Sequence, residues 1–154
     1  MNMDLLHNAP FWSALSSLVI AQALKPLINM ASGRGWDRHM FITTGGMPSS
    51  HTSTVTAMTM SLAMTEGIGS SIFVVALVFS LIIMNDAMNV RLETGKQAKV
   101  LNEWSQILSE LHKNGPFAVQ NFKTMVGHSM FQVLVGFILG IAVGFTTTYL
   151  MVYV

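Results

Sequence analysis

The sequence predicts an all-α integral membrane protein, a bundle of about four transmembrane helices with one amphipathic helix at the cytoplasmic or interfacial side. Two observations predict this class. Of the 154 residues, 51% are hydrophobic and 10% are charged, whereas charged residues make up about 25% of a typical soluble domain. The hydrophobic residues are also grouped into four long apolar stretches. Because there is no repeat or low-complexity segment, residues 1–154 are predicted to form a single membrane-embedded domain.

Four apolar stretches supply the predicted spans, at residues 10–30, 48–65, 70–88 and 130–154. A bilayer crossing needs roughly 20 residues, and the first, third and fourth stretches meet that length. The second is shorter and rich in hydroxyl side chains, so we expect the other helices to shield it from lipid while its hydroxyls bond within the bundle. Those hydroxyls belong to Thr52, Ser53, Thr54, Thr56, Thr59 and Ser61.

A polar segment, residues 89–127, separates the third and fourth spans. Helical spacing places one set of mostly apolar side chains on a common face: Gln97, Leu101, Trp104, Leu108 and Leu111. The pattern predicts a helix that either lies on the membrane surface or extends the third span into the cytosol. Asn114-Gly115-Pro116 is predicted to end it.

The basic residues predict the orientation. All eight lysines and arginines lie in or beside the loops that follow the first and third spans, namely Lys25, Arg34, Arg38, Arg91, Lys96, Lys99, Lys113 and Lys123. The positive-inside rule then places this side in the cytoplasm of a multi-pass cell (plasma) membrane protein, with both termini outside. The net charge of +1 gives no case for nucleic acid as a partner.

The segment Gly-Gly-Met-Pro-Ser-Ser-His at residues 45–51 predicts an anion site. Pro48 is well suited to the first position of a helix. The amides of Ser49, Ser50 and His51 would then point out of the helix N-terminus, where the helix dipole favours an anion. The two preceding glycines would allow a ligand to approach the backbone closely. The alternative is a helix cap with a structural histidine.

A stripe of residues four apart marks the fourth span: His128, Gln132, Gly136, Gly140 and Gly144. Such small-residue surfaces allow another helix to approach closely. We therefore expect the stripe to face the bundle interior and to carry the first two side chains inward. The alternative use of the three glycines is an interface between two copies of the chain.

Other ionisable residues are expected on the same side of the membrane. Lys25 lies within the first span, where a charge is expensive and suggests function, although its side chain could instead snorkel to the interface. Asp86 and Arg91 could form an ion pair without chemistry. The combined site contains Lys25, Arg34 or Arg38, Ser49, Ser50, His51, Arg91 and His128.

This combination of groups is suited to phosphoryl transfer. Three cations and a helix N-terminus can neutralise the phosphoryl oxygens. Two histidines can supply a nucleophile and a general acid. No carboxylate cluster suggests a metal, and the absence of cysteine excludes thiolate ligands. We therefore expect neither a metal nor another cofactor.

The sequence resembles the phosphatidic acid phosphatase type 2 superfamily, which also includes vanadium haloperoxidases and bacterial acid phosphatases. Within it, the chain is most similar to the small divergent bacterial branch. The blocks that carry the resemblance extend over most of the chain: Ala21-Gln22-Ala23-Leu24-Lys25, residues 45–51, Asn85-Asp86-Ala87 with Val90-Arg91, Gly95-Lys96-Gln97-Ala98, Leu101-Asn102 and Gly127-His128.

The resemblance implies roles for residues of the first two motifs. The first motif implies that Lys25, with Arg34 or Arg38, binds phosphate. The second corresponds to residues 48–51, whose serine and backbone hold phosphate and whose histidine, His51, protonates the leaving oxygen. Serine replaces the usual glycine at position 50, as is common in the divergent branch.

The third motif implies that Arg91 binds phosphate and that His128 is the nucleophile, although these two stand farther apart than is usual in the superfamily. Gln132 occupies the position of an aspartate that orients the nucleophile. An amide oxygen can accept the imidazole N–H but cannot stabilise an imidazolium as a carboxylate does; in a serine protease, the change from aspartate to asparagine lowers turnover about 10⁴-fold. Either Asp86 orients His128, or activity is weak.

The sequence thus predicts a metal-independent phosphatase that forms a phosphohistidine intermediate. Its expected substrate is a membrane lipid phosphate at the cytoplasmic face, phosphatidylglycerophosphate or phosphatidic acid. A polyprenyl diphosphate phosphatase is one alternative. The others are a protein that binds a lipid phosphate without turnover, and a transport or membrane assembly subunit.

Overall fold

The structure, a computed structural model, describes residues 5–33, 35–43, 45–111, 119–124 and 126–154. All regular secondary structure in these ranges is helical, which confirms the predicted all-α class. Two short 3₁₀ turns, Leu5–His7 and Arg38–Phe41, accompany the main helices. The main helices are α1 (Ala9–Ala31), α2 (Ser50–Thr65), α3 (Ser71–Asn85), α4 (Arg91–Leu111) and α5 (Met130–Val152).

Three helices in the described ranges are long and apolar enough to cross a membrane. They are α1, α5 and a continuous 41-residue helix, Ser71–Leu111, that α3 and α4 form together. At 16 residues, α2 is not one of them. The structure thus supports three of the four predicted spans.

The short helix α2 lies at the centre of the bundle, where it packs against α1, α3 and α5. As predicted, hydroxyl side chains of α2 bond within the bundle, and those of Ser53, Thr59 and Ser61 pair with hydroxyls of the surrounding helices, whereas Thr56 Oγ1 is buried with no partner among the described residues. The oxygen–oxygen distances are 2.5 Å for Ser17–Ser53, 2.8 Å for Thr59–Ser80 and 2.7 Å for Thr148–Ser61, all of them buried. Buried hydroxyls of this kind are stable because each one has a partner.

The glycine stripe of α5 packs directly on α2. A Cβ atom added to any one of the three glycines would lie 2.6 Å from a backbone carbonyl oxygen of α2 or its cap, with the pairs Gly136–Ser49, Gly140–Ser53 and Gly144–Ala57. No side chain fits in that space. The stripe therefore faces the bundle interior as predicted. The alternative use of the stripe, as an interface between two copies of the chain, would require this surface to be open, whereas α2 covers it here.

Helix α4 continues α3 and so extends the third span, the second of the two predicted arrangements. A π turn, Asp86–Val90, joins the two helices. The predicted apolar face of α4 is exposed in the single chain; Leu101 and Trp104 keep 53% and 59% of their surface. The predicted stop at residues 114–116 lies outside the described residues.

The chain returns along α4 before it enters α5. In this segment, residues 119–124, the backbone of Phe122 exchanges two hydrogen bonds with the side chain of Asn102, and the Gln120 amide donates to Ser105 Oγ at 2.9 Å. The segment leads to the start of α5 and so delivers His128 to the end of the bundle where α2 begins.

Candidate active site

The helix that opens the predicted anion site begins two residues later than expected. Helix α2 starts at Ser50, with Ser49 as its N-cap, and Pro48 precedes the cap. The Ser49 hydroxyl accepts a hydrogen bond from the Thr52 amide at 3.4 Å, as serine N-caps commonly do. The cap geometry therefore outweighed the preference of proline for the first helical position.

The start of α2 is tied to α5, which reduces the number of free amides. The Ser49 amide, predicted to face the anion, instead donates to the Gln132 carbonyl at 3.1 Å. The amides of Ser50 and His51 have no acceptor within the described ranges. Two amides, not three, therefore remain for a ligand at this helix N-terminus.

Lys25 is turned into this site. Its side chain is only 1% exposed, and Nζ donates to the Thr43 carbonyl at 2.8 Å and to Ser50 Oγ at 3.4 Å. Gly46, at φ 90°, passes beside the stem of the lysine, with 3.9 Å between an added Cβ and Lys25 Cδ. The alternative that Lys25 snorkels outward is wrong. Its ammonium lies against the hydroxyl of the first α2 residue.

The second histidine is buried and held in one orientation. His128 is 1% exposed, and its amide donates to the Ala87 carbonyl at 3.0 Å. Its Nδ1 lies 3.3 Å from Gln132 Oε1, which also accepts the Ser129 amide at 3.0 Å. The Ser129 amide can only donate, so the Gln132 atom that it contacts is the oxygen and not the NH₂ group. That oxygen can only accept, and the imidazole proton therefore sits on Nδ1. Nε2 is buried, and the described residues supply it with no partner.

The π turn brings the side chains of Asp86 and Arg91 together and leaves the Ala87 carbonyl free for the His128 amide. The Arg91 amide donates to the Asp86 carbonyl, five residues back. In a regular α-helix it would bond to Ala87, whose carbonyl is therefore left to accept His128. Residues five apart in an α-helix point about 140° away from each other. Here Asp86 Oδ2 lies 2.5 Å from Arg91 Nε.

Asp86 and Arg91 therefore form an ion pair, and this pair bears on the predicted role of Asp86 beside His128. Asp86 bonds to Arg91, whereas the side chain beside Nδ1 of His128 is Gln132. The alternative in which Asp86 orients His128 is therefore corrected. Because Asp86 engages Nε, the two terminal nitrogens of the guanidinium stay available for an anion.

Two glycines that received no chemical role from the sequence hold His128 in place. A Cβ on Gly127 would lie 2.3 Å from the Leu92 backbone, and one on Gly95 would lie 2.5 Å from the Thr124 carbonyl oxygen. The segment before His128 can approach α4 only because both positions lack a side chain. Both glycines occur in the family-like blocks, which was the only signal for them.

The charged groups act on one another at this end of the bundle. Arg91, Lys25 and Asp86 all exert an electrostatic influence on His51, whose side chain is exposed. Lys25 and His51 in turn influence His128. Burial is the main cause that lowers the pKa of His128, with the hydrogen bond to Gln132 and the nearby backbone of Gly46 opposing it. His128 is therefore kept neutral, with an unprotonated Nε2, near neutral pH.

Two cavities adjoin this site. One of about 240 Å³ is lined by residues of α1 and α5, among them Lys25, Asn29 and Gln132. The other, of about 440 Å³, is lined by residues of α4 that include Lys96 and Lys99. Both cavities share Gly46, Ser129 and Gln132 as lining residues.

The remaining predicted residues contribute less. Arg34 lies outside the described residues. Arg38 is exposed in its 3₁₀ turn, and no hydrogen bond to a predicted site residue is formed in the described ranges. The same ranges contain no group of three or more histidine, aspartate or glutamate side chains placed to hold a metal ion.

Comparison with known proteins identifies the family of the chain. The chain is 35% identical over 156 residues to the uncharacterized membrane protein YuiD of Bacillus subtilis (strain 168), a match that covers 96% of this chain and 98% of that protein. No solved structure matches. Residues 6–143 match the family described as the divergent PAP2 family. The chain thus belongs to the divergent PAP2 family of membrane proteins.

Proposed function

We propose that the protein is a metal-independent phosphatase that hydrolyses a lipid phosphate through a phosphohistidine intermediate. One observation carries the proposal: the buried imidazole of His128 has its proton fixed on Nδ1 by Gln132, while Nε2 is left without a partner. Fixing the ring in one tautomer and one orientation reduces the reorganisation that attack requires. The free amides of Ser50 and His51, together with Lys25 and Arg91, lie at the same end of the bundle and support the binding of an anion there.

In the first step, Nε2 of His128 attacks phosphorus in line with the ester oxygen. A P–N bond forms, the P–O bond to the lipid breaks, and the electron pair leaves on the alkoxide oxygen. His51 in its protonated form donates a proton to that oxygen, which releases an alcohol. Lys25, Arg91 and the amides of Ser50 and His51 stabilise the negative charge on the three remaining oxygens.

In the second step, water hydrolyses the phosphohistidine. His51, now neutral, takes a proton from the water as it attacks phosphorus. The P–N bond breaks, its electron pair returns to Nε2, and inorganic phosphate leaves. Nδ1–H of His128 stays bonded to Gln132 in both steps, so the enzyme returns to its starting state without a metal or other cofactor.

A membrane lipid is the substrate class that the position of the site supports. The site lies at the end of a bundle with three membrane-spanning candidates, where a lipid headgroup is within reach. The opening beside Lys25 contains the apolar side chains of Ile28, Met40 and Phe131. Phosphatidylglycerophosphate and phosphatidic acid are the favoured substrates, and a polyprenyl diphosphate is the alternative.

The basic residues support a site that faces the cytoplasm of the cell membrane, with both termini outside. Because the chain contains no cysteine, single cysteines can be introduced at Glu103 on α4 and at Gly69 at the opposite end of α3. In intact cells, a membrane-impermeant maleimide is expected to label the second position alone. Labelling of the first position alone would contradict this orientation.

The decisive experiment measures phosphate release from these lipids by the purified protein in detergent, with EDTA present. The wild type is expected to release phosphate and to form an acid-labile, base-stable phosphoprotein. His128→Ala is expected to lower release about 10⁴-fold or more, because it removes the proposed nucleophile and the other catalytic residues cannot act without it. Equal release by wild type and variant, or no release by the wild type, would contradict the proposal.

Gln132 favours a second candidate function, a protein that binds the lipid phosphate without turnover. An amide cannot stabilise the imidazolium that forms on phosphorylation as a carboxylate would. Binding of a phosphatidic acid vesicle without phosphate release, in both the wild type and Gln132→Glu, would favour this second function.

A further inference from the structure

The larger cavity beside the site has a chemical character that the proposed reaction does not use. Its volume is about 440 Å³, within the size range of about 300–1,000 Å³ that is usual for small-ligand sites. Two lysines of α4, Lys96 and Lys99, line it. The single phosphoryl group of a monoester needs neither of them, because Lys25 and Arg91 already serve it.

The charge of this cavity is not balanced. Lys96 Nζ lies 2.6 Å from Glu93 Oε1, so one lysine has a carboxylate partner. Lys99 has no ion-pair partner in the ranges that the structure describes. Two ammonium groups with one carboxylate leave a net charge of about one positive unit, which attracts an anion.

Much of the wall of the cavity is backbone, since four glycines line it: Gly45, Gly46, Gly95 and Gly127. At Gly95 and Gly127 the tight packing of the chain against α4 excludes any side chain. Most of the cavity surface is apolar, so the two lysines and the peptide groups are the places where a polar group can bond. The lining therefore suits an amphiphilic molecule such as a lipid, with its anionic headgroup at the lysines.

The cavity and the proposed phosphoryl site share residues. Ser129 and Gln132, which line it, are also the residues that fix the orientation of His128. Gly46 lines it as well and lies beside Lys25. The cavity and the surroundings of His128 therefore share Gly46, Ser129 and Gln132, which is the basis for assigning both to one substrate molecule.

We propose that this cavity binds a second phosphate of the same substrate, and that the protein selects lipids with two phosphates over lipids with one. The inference rests on the proposed function of the His128 site. The first phosphate is the terminal group that His128 attacks. The second, either the adjoining phosphate of a diphosphate or the phosphodiester of a glycerol-linked headgroup, lies against Lys99 and Lys96.

The test compares kcat/KM for three lipids in detergent: phosphatidic acid, phosphatidylglycerophosphate and a polyprenyl diphosphate. We expect the wild type to prefer one or both two-phosphate lipids over phosphatidic acid by about tenfold or more. Lys99→Gln is expected to reduce that preference about tenfold, because a charge-assisted contact is lost. The lipid that shows the preference identifies the source of the second phosphate.

The matched control is Lys123→Gln, since Lys123 is an exposed lysine of the segment 119–124 and does not line the cavity. It removes the same charge from the same side of the protein and is expected to leave the preference unchanged. A wild type without preference, or a Lys99→Gln variant that slows all three lipids equally, would overturn the inference while the phosphatase proposal stands.

A binding measurement keeps the inference testable if no lipid is hydrolysed, a result that would overturn the phosphatase proposal alone. Titration calorimetry would compare inorganic diphosphate with inorganic phosphate, and glycerol 1,3-bisphosphate with glycerol 3-phosphate. The two-phosphate member of at least one pair is expected to bind about tenfold more tightly, and Lys99→Gln is expected to remove that difference. Equal binding within both pairs would overturn the inference.

Discussion

The two histidines of the site are held in opposite ways. His51 lies in the first turn of α2 with an exposed side chain. His128 is 1% exposed, and its backbone and ring both have defined partners. The difference matches their proposed tasks. A group that exchanges protons with water benefits from access to solvent, whereas a nucleophile benefits from a fixed orientation.

The two positions also depend on different parts of the chain. His51 is placed by local structure, since a serine cap and the helix that follows determine where its backbone lies. His128 is placed by distant contacts with the Ala87 carbonyl of the π turn, with Gln132 of α5 and, through Gly127, with Leu92. Changes near His128 should therefore disturb folding and chemistry together, whereas changes at His51 should disturb chemistry alone.

Among the substitutions that test this comparison of the two histidines, the largest effect is expected at His51. His51→Ala should lower kcat for a lipid substrate about 10³-fold, within the usual range for loss of a general acid. The loss should be much smaller with p-nitrophenyl phosphate, whose leaving group needs no proton. Phosphate release and thermal unfolding would be measured together, with His39→Ala as the control at another exposed histidine. An equal loss on both substrates would remove His51 from the acid role.

A substitution at Gly127 should show how far His128 depends on its support. Gly127→Ala would place a Cβ 2.3 Å from the Leu92 backbone, so the segment must move away from α4. We expect a loss of about 1–3 kcal/mol in stability and a fall in kcat of about 10²-fold, as for an ångström of misplacement.

The control for Gly127→Ala is Gly69→Ala, because a Cβ on Gly69 meets nothing within 4 Å. Melting temperature and phosphate release report the two effects. If Gly127→Ala kept full activity, the contact with α4 would have no part in placing His128.

The smallest expected effect concerns the partner of the His128 ring. Since burial lowers the pKa of His128, the imidazole stays neutral to a lower pH than an ordinary histidine, whose pKa is about 6.5. In the pH dependence of kcat/KM, the midpoint of the acid limb should therefore lie below the ordinary histidine pKa of about 6.5. Gln132→Glu keeps the capping box of α5 and adds a carboxylate that raises the pKa of His128.

The Gln132→Glu variant should accordingly move the acid limb to higher pH and raise kcat about tenfold at neutral pH, as a charged orienting group stabilises the imidazolium. The pH dependence of phosphate release measures both changes. A rate that does not increase, with an unshifted acid limb, would mean that this side chain does not act on His128.

Much of the bundle follows from patterns visible in the sequence. Long apolar stretches predict α1 and α5, and the density of hydroxyl groups predicts that α2 is enclosed. The four-residue spacing of Gly136, Gly140 and Gly144 predicts the surface on which α5 meets α2. These features are predictable because each depends on periodicity within one segment.

The supports of the site could not be predicted in the same way. In the π turn, the Arg91 amide bonds to the Asp86 carbonyl instead of the Ala87 carbonyl. No side-chain pattern in the sequence indicates that the Ala87 carbonyl is left free for the His128 amide. The inward direction of Lys25 depends on Thr43 and Ser50, which come from other parts of the chain. The N-cap of α2, Ser49, is tied through its amide to the Gln132 carbonyl of α5, a contact between distant parts of the chain.

The close packing at α2 has a consequence for where the product goes. Glycine packs against backbone where α5 meets α2, and paired hydroxyls join α2 to α1, α3 and α5. The cavity left between α2, α3 and α5 is lined mainly by apolar side chains, so a phosphate ion released by the proposed reaction would return to the compartment from which the headgroup entered. The headgroup would thus enter and the phosphate would leave on the same side of the membrane. The free energy of hydrolysis would be released as heat and would not drive an ion across the bilayer.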